Sequence, residues 1–189
     1  MAFTLQNAIL LFVGMQAAMH SRDSTSGGQA LDAVAVALMQ GGQPESGLHA
    51  LAQALAARIG YRLFTVLVLD REAGVSRRFY SSQPDAYPTD GAKPIRTDSD
   101  FYARVVQEGR PRICADREAC KAAFPDHDRI FALGCEGAVN VPVRWDGQTI
   151  ASLNLLHRAG WYREAMFSEL GWYSAFAIPV IQKIIHTTR

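Results

Sequence analysis

The stretch GCEGAVNVPVRWDGQTIASLNLLH, Gly134 to His157, constrains the fold more than any other part of the chain. Two aliphatic runs flank Asp146-Gly147, a pair that tolerates the positive φ angles of a two-residue hairpin turn. The second run alternates: Ala151, Leu153, Leu155 and His157 fall on one face, Ile150, Ser152, Asn154 and Leu156 on the other. The first of these faces is apolar as far as His157 and is predicted to carry helices. The second sets a serine and an amide among aliphatic neighbours, and the preceding run does the same with Asn140 beside Ala138. Buried polar groups need hydrogen-bond partners, and a ligand, a backbone group or a water can each supply them.

A second hairpin is predicted earlier. YRLFTVLVLD (61–70) is β-branched and aromatic, REAG supplies a turn, and VSRRFYSS (75–82) returns. Strict alternation places Val75, Arg77, Phe79 and Ser81 on one face of the returning strand, with Ser76, Arg78, Tyr80 and Ser82 on the other. Helices bracket the hairpins. One ends at Gly41-Gly42; a second carries Leu48, Leu51, Leu55 and Ile59 on one stripe, with Ser46 as its cap. The last places Met166, Leu170, Tyr173, Phe176, Ala177, Ile181 and Ile184 at helical spacing, with Pro179 as a kink. Between the hairpins lie an irregular region (83–97), a helix capped within Thr97–Ser99 and stopped at Gly109, the strand fragment RICA (112–115), and short helices broken at Pro125. This order predicts an α+β fold with a central antiparallel sheet and the N- and C-terminal helices on one face.

The Ser/Gly-rich segment Ser21–Gln29 reads as a linker, which divides the chain into an extension and linker (1–29) and a domain (30–186). At 189 residues, 49% of them hydrophobic, one domain with a substantial core is expected. A formal charge of +1 argues against a nucleic-acid partner. The short basic groups Arg77-Arg78 and Arg110/Arg112 are read as solvated edges. The apolar centre of the first segment, Ala8 to Gly14, is too short to span a bilayer, so no membrane partner is expected. Three cysteines, an odd number, fit a reducing, cytoplasmic setting.

The residues from about Leu31 to Ile185 resemble a GAF domain, a small-molecule sensor fold related to PAS domains. The resemblance is carried by GAVNVPVRWDGQTIASLNLLH with its Val141-Pro142-Val143 unit, by SDFYARVVQEGRPRICAD, and by FSELGWYSAFAIPVIQ. It implies a pocket on the sheet face opposite the helices, roofed by the loop-and-helix excursion between the hairpins. It also implies homodimerisation through the first and last helices and a downstream protein partner. Phe79, Phe101, Tyr102, Phe131, Cys135, Asn140, Ser152 and Asn154 are the candidate ligand-binding residues, with Phe124 a further candidate for the roof. The ligand and any cofactor stay unnamed at this level.

The alternative is a thiol-dependent enzyme on the same scaffold, similar to the free methionine-(R)-sulfoxide reductases. Cys135 would attack beside Glu136, with Cys114 or Cys120 resolving. Glu136 raises the expected pKa of its neighbour, and Asn154 stands where that branch carries an acid. Cys114, Cys120, His127 and Cys135 match no compact zinc spacing, so no metal site is expected. No Ser-His-Asp order, phosphate-cradling loop or paired catalytic carboxylates appear.

Overall fold

The computed structural model describes residues 27–89 and 92–188. The first segment, Met1 to His20, lies outside them, as does most of the linker; residues 27–29 are already helical and belong to the first helix, α1 (27–39). There follow α2 (Glu45–Arg58), β1 (Leu63–Asp70), β2 (Val75–Ser81), β3 (Ala92–Pro94), a π-helical turn (Tyr102–Gln107) and β4 (Arg112–Cys114). The chain continues through α3 (Arg117–Ala123), α4 (His127–Ala132), β5 (Gly137–Trp145), β6 (Gln148–His157) and α5 (Phe167–Thr187). All strands join one antiparallel sheet in the order β3-β2-β1-β6-β5-β4. The fold is the α+β arrangement expected. At the β5–β6 turn Asp146 and Gly147 both take positive φ, 47° and 73°, as a turn matched to the twist of its strands requires.

The core lies between one sheet face and α1, α2 and α5. Phe64, Val66, Val68, Val139, Val141, Val143, Ala151, Leu153 and Leu155 project from alternate positions of β1, β5 and β6. Leu51 and Leu55 of α2, and Leu170, Tyr173, Ala177, Ile181 and Ile184 of α5, close over them. Gly47 lets α2 and α5 approach: a Cβ there would stand 2.7 Å from Cγ2 of Val180 and 2.6 Å from Oε1 of Gln43. An ion pair of 2.9 Å between Arg58 and Glu169 ties the two helices at their rim.

Several local expectations change. Ser46 is not the cap of α2; it lies in the first turn and donates to the carbonyl of Gly41 at 3.2 Å. The region 83–97 is not wholly irregular, because β3 adds an edge strand to β2. The most consequential change is a β-bulge. Val66 pairs with Tyr80 but Leu67 pairs with Arg78, so Phe79 is an extra residue and the alternation of β2 resets there. Phe79 and Tyr80 both pack with the helix-side core, the Tyr80 ring 5.4 Å from that of Phe64.

The hydroxyl of Tyr173 is buried and has no hydrogen-bond partner among the described residues. An unsatisfied buried hydroxyl is a net cost. Tyr173→Phe is therefore expected to raise stability by about 1 kcal/mol, read as a higher midpoint in urea unfolding at unchanged slope.

Candidate functional site: a roofed cavity on the sheet

The sheet face turned away from the helices carries a polar row. Arg112, Asn140, Asn154 and Thr65 lie directly opposite one another on β4, β5, β6 and β1. Arginine can only donate hydrogen bonds, and this sets the direction of the whole row. Nε and Nη2 of Arg112 reach Oδ1 of Asn140 at 3.0 and 2.8 Å. Nδ2 of Asn140 must then face β6, where it donates to Oδ1 of Asn154 at 2.8 Å. The hydroxyl of Ser152 donates to the same oxygen at 3.1 Å. Nδ2 of Asn154 turns to the carbonyls of Ser152 and Thr65, at 3.3 and 3.4 Å. Both amide oxygens are consumed within the row. Both amide hydrogens of Asn154 are spent as well, which leaves the second N–H of Asn140 as the one amide donor not taken up by the row.

Above this floor is a cavity of about 830 Å³. Leu67, Leu69 and Leu156 continue the floor as apolar patches, while Phe101, Tyr102, Phe124 and Pro125 contribute walls and roof. The roof segment is fastened to the rest at Asp126. Its Oδ2 accepts from the Tyr87 hydroxyl at 2.6 Å and its Oδ1 pairs with Lys93 of β3 at 2.7 Å. One carboxylate thereby joins the start of α4, the loop after β2 and the edge strand. Burial pushes the Asp126 carboxyl up, but the hydrogen bonds from Lys93 and Tyr87 outweigh it and hold the group below the usual range. Burial and the bond to Asp126 push the Tyr87 phenol well up.

Of the candidate ligand-binding residues, Phe101, Tyr102, Asn140 and Asn154 line the cavity, as does Phe124. Ser152 is buried behind Asn154 and orients it without reaching the space. Phe79 lies on the helix side, the strand face opposite Ser76 and Arg78, and the bulge brings Tyr80 to that side as well. Phe131 packs in a satellite cluster with Leu63, Cys120, Ile130 and Cys135, its ring under the Arg117 guanidinium at 3.8 Å. Cys135 is wholly buried in that cluster, away from the cavity.

The reading of Arg78 and Arg112 as solvated edges is overturned. They are 7% and 6% exposed and both line the cavity, at opposite ends of the sheet. Arg112 also lies 5.5 and 5.8 Å from the ring centres of Phe101 and Phe124. Each arginine shares its strand face with another cavity residue, Arg78 with Ser76 and Arg112 with Cys114.

The cysteines separate into two environments. Burial pushes the Cys135 thiol up to about 11, and Glu136 is turned away to pair with Arg117 at 2.9 Å. That is the opposite of what an attacking thiolate needs. Cys114 lines the cavity, and the neighbouring Cys120 thiol draws it down, with Arg112 helping; Cys120 is correspondingly pushed up. Among the described residues no group of three or more His, Cys, Asp or Glu side chains is placed to hold a metal ion.

Solved structures with this architecture are numerous. The GAF domain of an Acinetobacter phosphoenolpyruvate-protein phosphotransferase superposes with a TM-score of 0.65 at 14% identity, covering 82% of this chain and 92% of that one. The fold is that of GAF domains. The corresponding GAF domain from Coxiella burnetii gives a TM-score of 0.65 at 14% identity over 87% of this chain and 95% of its own. A free methionine-R-sulfoxide reductase from Neisseria meningitidis, solved with its substrate, gives 0.60 at 16% identity over 85% and 88%. No protein-family model matches the chain, and no curated protein matches it. Among the described residues no helix is long and apolar enough to cross a membrane.

Because the folded pKa of Asp126 is depressed, its contribution to the roof is present above the ordinary aspartate value near 4 and is lost as pH falls through the depressed one. At pH 7, Asp126→Asn should speed amide hydrogen exchange within 83–95, and the wild type should approach that rate only on acidification below about pH 4.

Proposed function

We propose that this chain is a sensory or regulatory module that binds a small metabolite between the sheet and its roof, and signals through the order of that roof. The observation that carries this reading is the cavity itself, whose volume of about 830 Å³ and mix of apolar wall with a few fixed polar groups suit a metabolite-sized guest. The sensor and regulatory domains among the structural neighbours support the same class of role. The helix layer offers a surface for a second copy or a downstream partner, with Val36 and Met39 of α1 and Trp172 of α5 exposed at 52%, 75% and 59%. Three unpaired cysteines agree with a cytoplasmic setting.

Native mass spectrometry of freshly purified protein tests the reading directly, since it reports both a retained ligand and the number of subunits. Added back at a hundredfold excess over its dissociation constant, that ligand should stabilise the fold by about 2.7 kcal/mol. It should also slow hydrogen exchange in 83–101. A ligand that stabilises without altering exchange there would remove the signalling half of the proposal.

A second reading, thiol-dependent reduction, is favoured by one observation only: a cavity-facing thiol, Cys114, with its thiolate supported by Cys120. It shifts the attacking role from Cys135 to Cys114. If reduction of free methionine sulfoxide by a dithiol reductant is detected, Cys114→Ser should abolish it and Cys135→Ser should retain most of it. The reverse pattern would exclude Cys114 as the nucleophile.

A further inference from the structure

The cavity wall has one charge left over. Four cations line it, Arg78, Lys93, Arg96 and Arg112, against three carboxylates, Asp98, Asp100 and Asp126. Each carboxylate is already taken: Lys93 holds Asp126 at 2.7 Å, Arg96 holds Asp98 at 3.1 Å, and Arg112 faces Asp100 at 3.6 Å. Arg78 has no carboxylate at ion-pair distance among the described residues, although only 7% of it is exposed. A buried guanidinium without a counter-charge is costly unless something supplies one.

The bonds that Arg78 does make show where that something would sit. Nη1 donates to the carbonyl of Pro88, and the ring of Tyr87 covers one guanidinium face at 3.8 Å. Nε is buried and has no acceptor, and no bond to Nη2 occurs among the described residues. The Nε–Nη2 edge left open is the one that grips a carboxylate side-on through two parallel hydrogen bonds. Nε is shut off from solvent, so seating the anion requires the guanidinium to turn slightly toward the cavity.

A second, independent observation points the same way. The floor has spent its amide oxygens on Arg112, Asn140 and Ser152, and both amide hydrogens of Asn154 on the carbonyls of Ser152 and Thr65, so what the row offers a guest is the second N–H of Asn140. β1 and β6 separate β2, which carries Arg78, from β5, which carries Asn140. That is roughly 15 Å of sheet, and its cavity side presents Leu67 and Leu69. The site thus reads as a carboxylate grip, an apolar strip, and an amide donor.

We propose that the cavity takes a small organic acid, with one carboxylate on the Arg78 edge, a short carbon chain across Leu67, and a carbonyl or second carboxylate oxygen at the free N–H of Asn140. This rests on the small-molecule reading above and names the class of its ligand. The test has two arms on the full chain. The first identifies by mass spectrometry any compound released on denaturing the freshly purified protein. The second follows thermal shift and calorimetry with glutarate and adipate against their neutral counterparts, glutaramide and adipamide, for wild type, Arg78→Gln and Arg78→Lys. The acid–amide comparison on the wild type needs no variant, so a folding defect in Arg78→Gln does not blunt the test. The expected results are release of a carboxylic acid or a shift with the diacids and not the diamides, at least a tenfold loss of affinity in Arg78→Gln, and an intermediate loss in Arg78→Lys. Release of a neutral compound, equal binding of diamides and diacids, or undiminished affinity in Arg78→Gln overturns the assignment and leaves the small-molecule reading standing. If nothing is released and neither series moves the melting temperature, both fall.

Discussion

The inability of a guanidinium to accept a hydrogen bond organises the functional face of this protein. Arg112 turns Asn140, Asn140 turns Asn154, and the direction passes across the sheet without an amide being free to flip. Each member is buried, so a reversed amide would bury a donor against a donor. The row also joins β4, a three-residue strand at the sheet edge, to the longer central strands by side-chain bonds as well as by its short ladder. An edge arginine therefore sets the hydrogen-bonding character of a floor several strands wide.

The two sheet faces are built for different purposes. The helix face is filled by interlocking aliphatic side chains that leave it no freedom. The cavity face is closed by loops and short helices, fastened at Asp126 through one phenol and one ammonium group. Such a layer can open locally while the helix-side core stays intact. In the proposed role, a guest that bridges floor and roof would change the order of the roof at little cost to the fold.

The layering was legible in the sequence because burial leaves periodic traces. The alternation of Ala151, Leu153 and Leu155 against Ser152 and Asn154 specified both faces of β6, and Asp146-Gly147 specified its partner strand. The floor amides were legible as polar residues in apolar company. Cys135 and Phe131 were assigned to the cavity but lie outside its lining, because a short α4 and its following turn carry no period long enough to assign a direction. Arg78 and Arg112 were misread for a related reason. Charge suggests solvent, and only the register shows that their strand positions face inward, where Tyr87, Phe101 and Phe124 cover them.

The extra residue at Phe79 reaches beyond this one chain. It acts as a parity marker: upstream of it odd and even positions of β2 have one meaning, and downstream the opposite. Two proteins on this scaffold could carry an identical arginine at the same aligned column, and the cation would enter the cavity in one and leave it in the other. Ligand preference on the scaffold can thus be inherited or lost through a single insertion, with every residue that touches the guest unchanged.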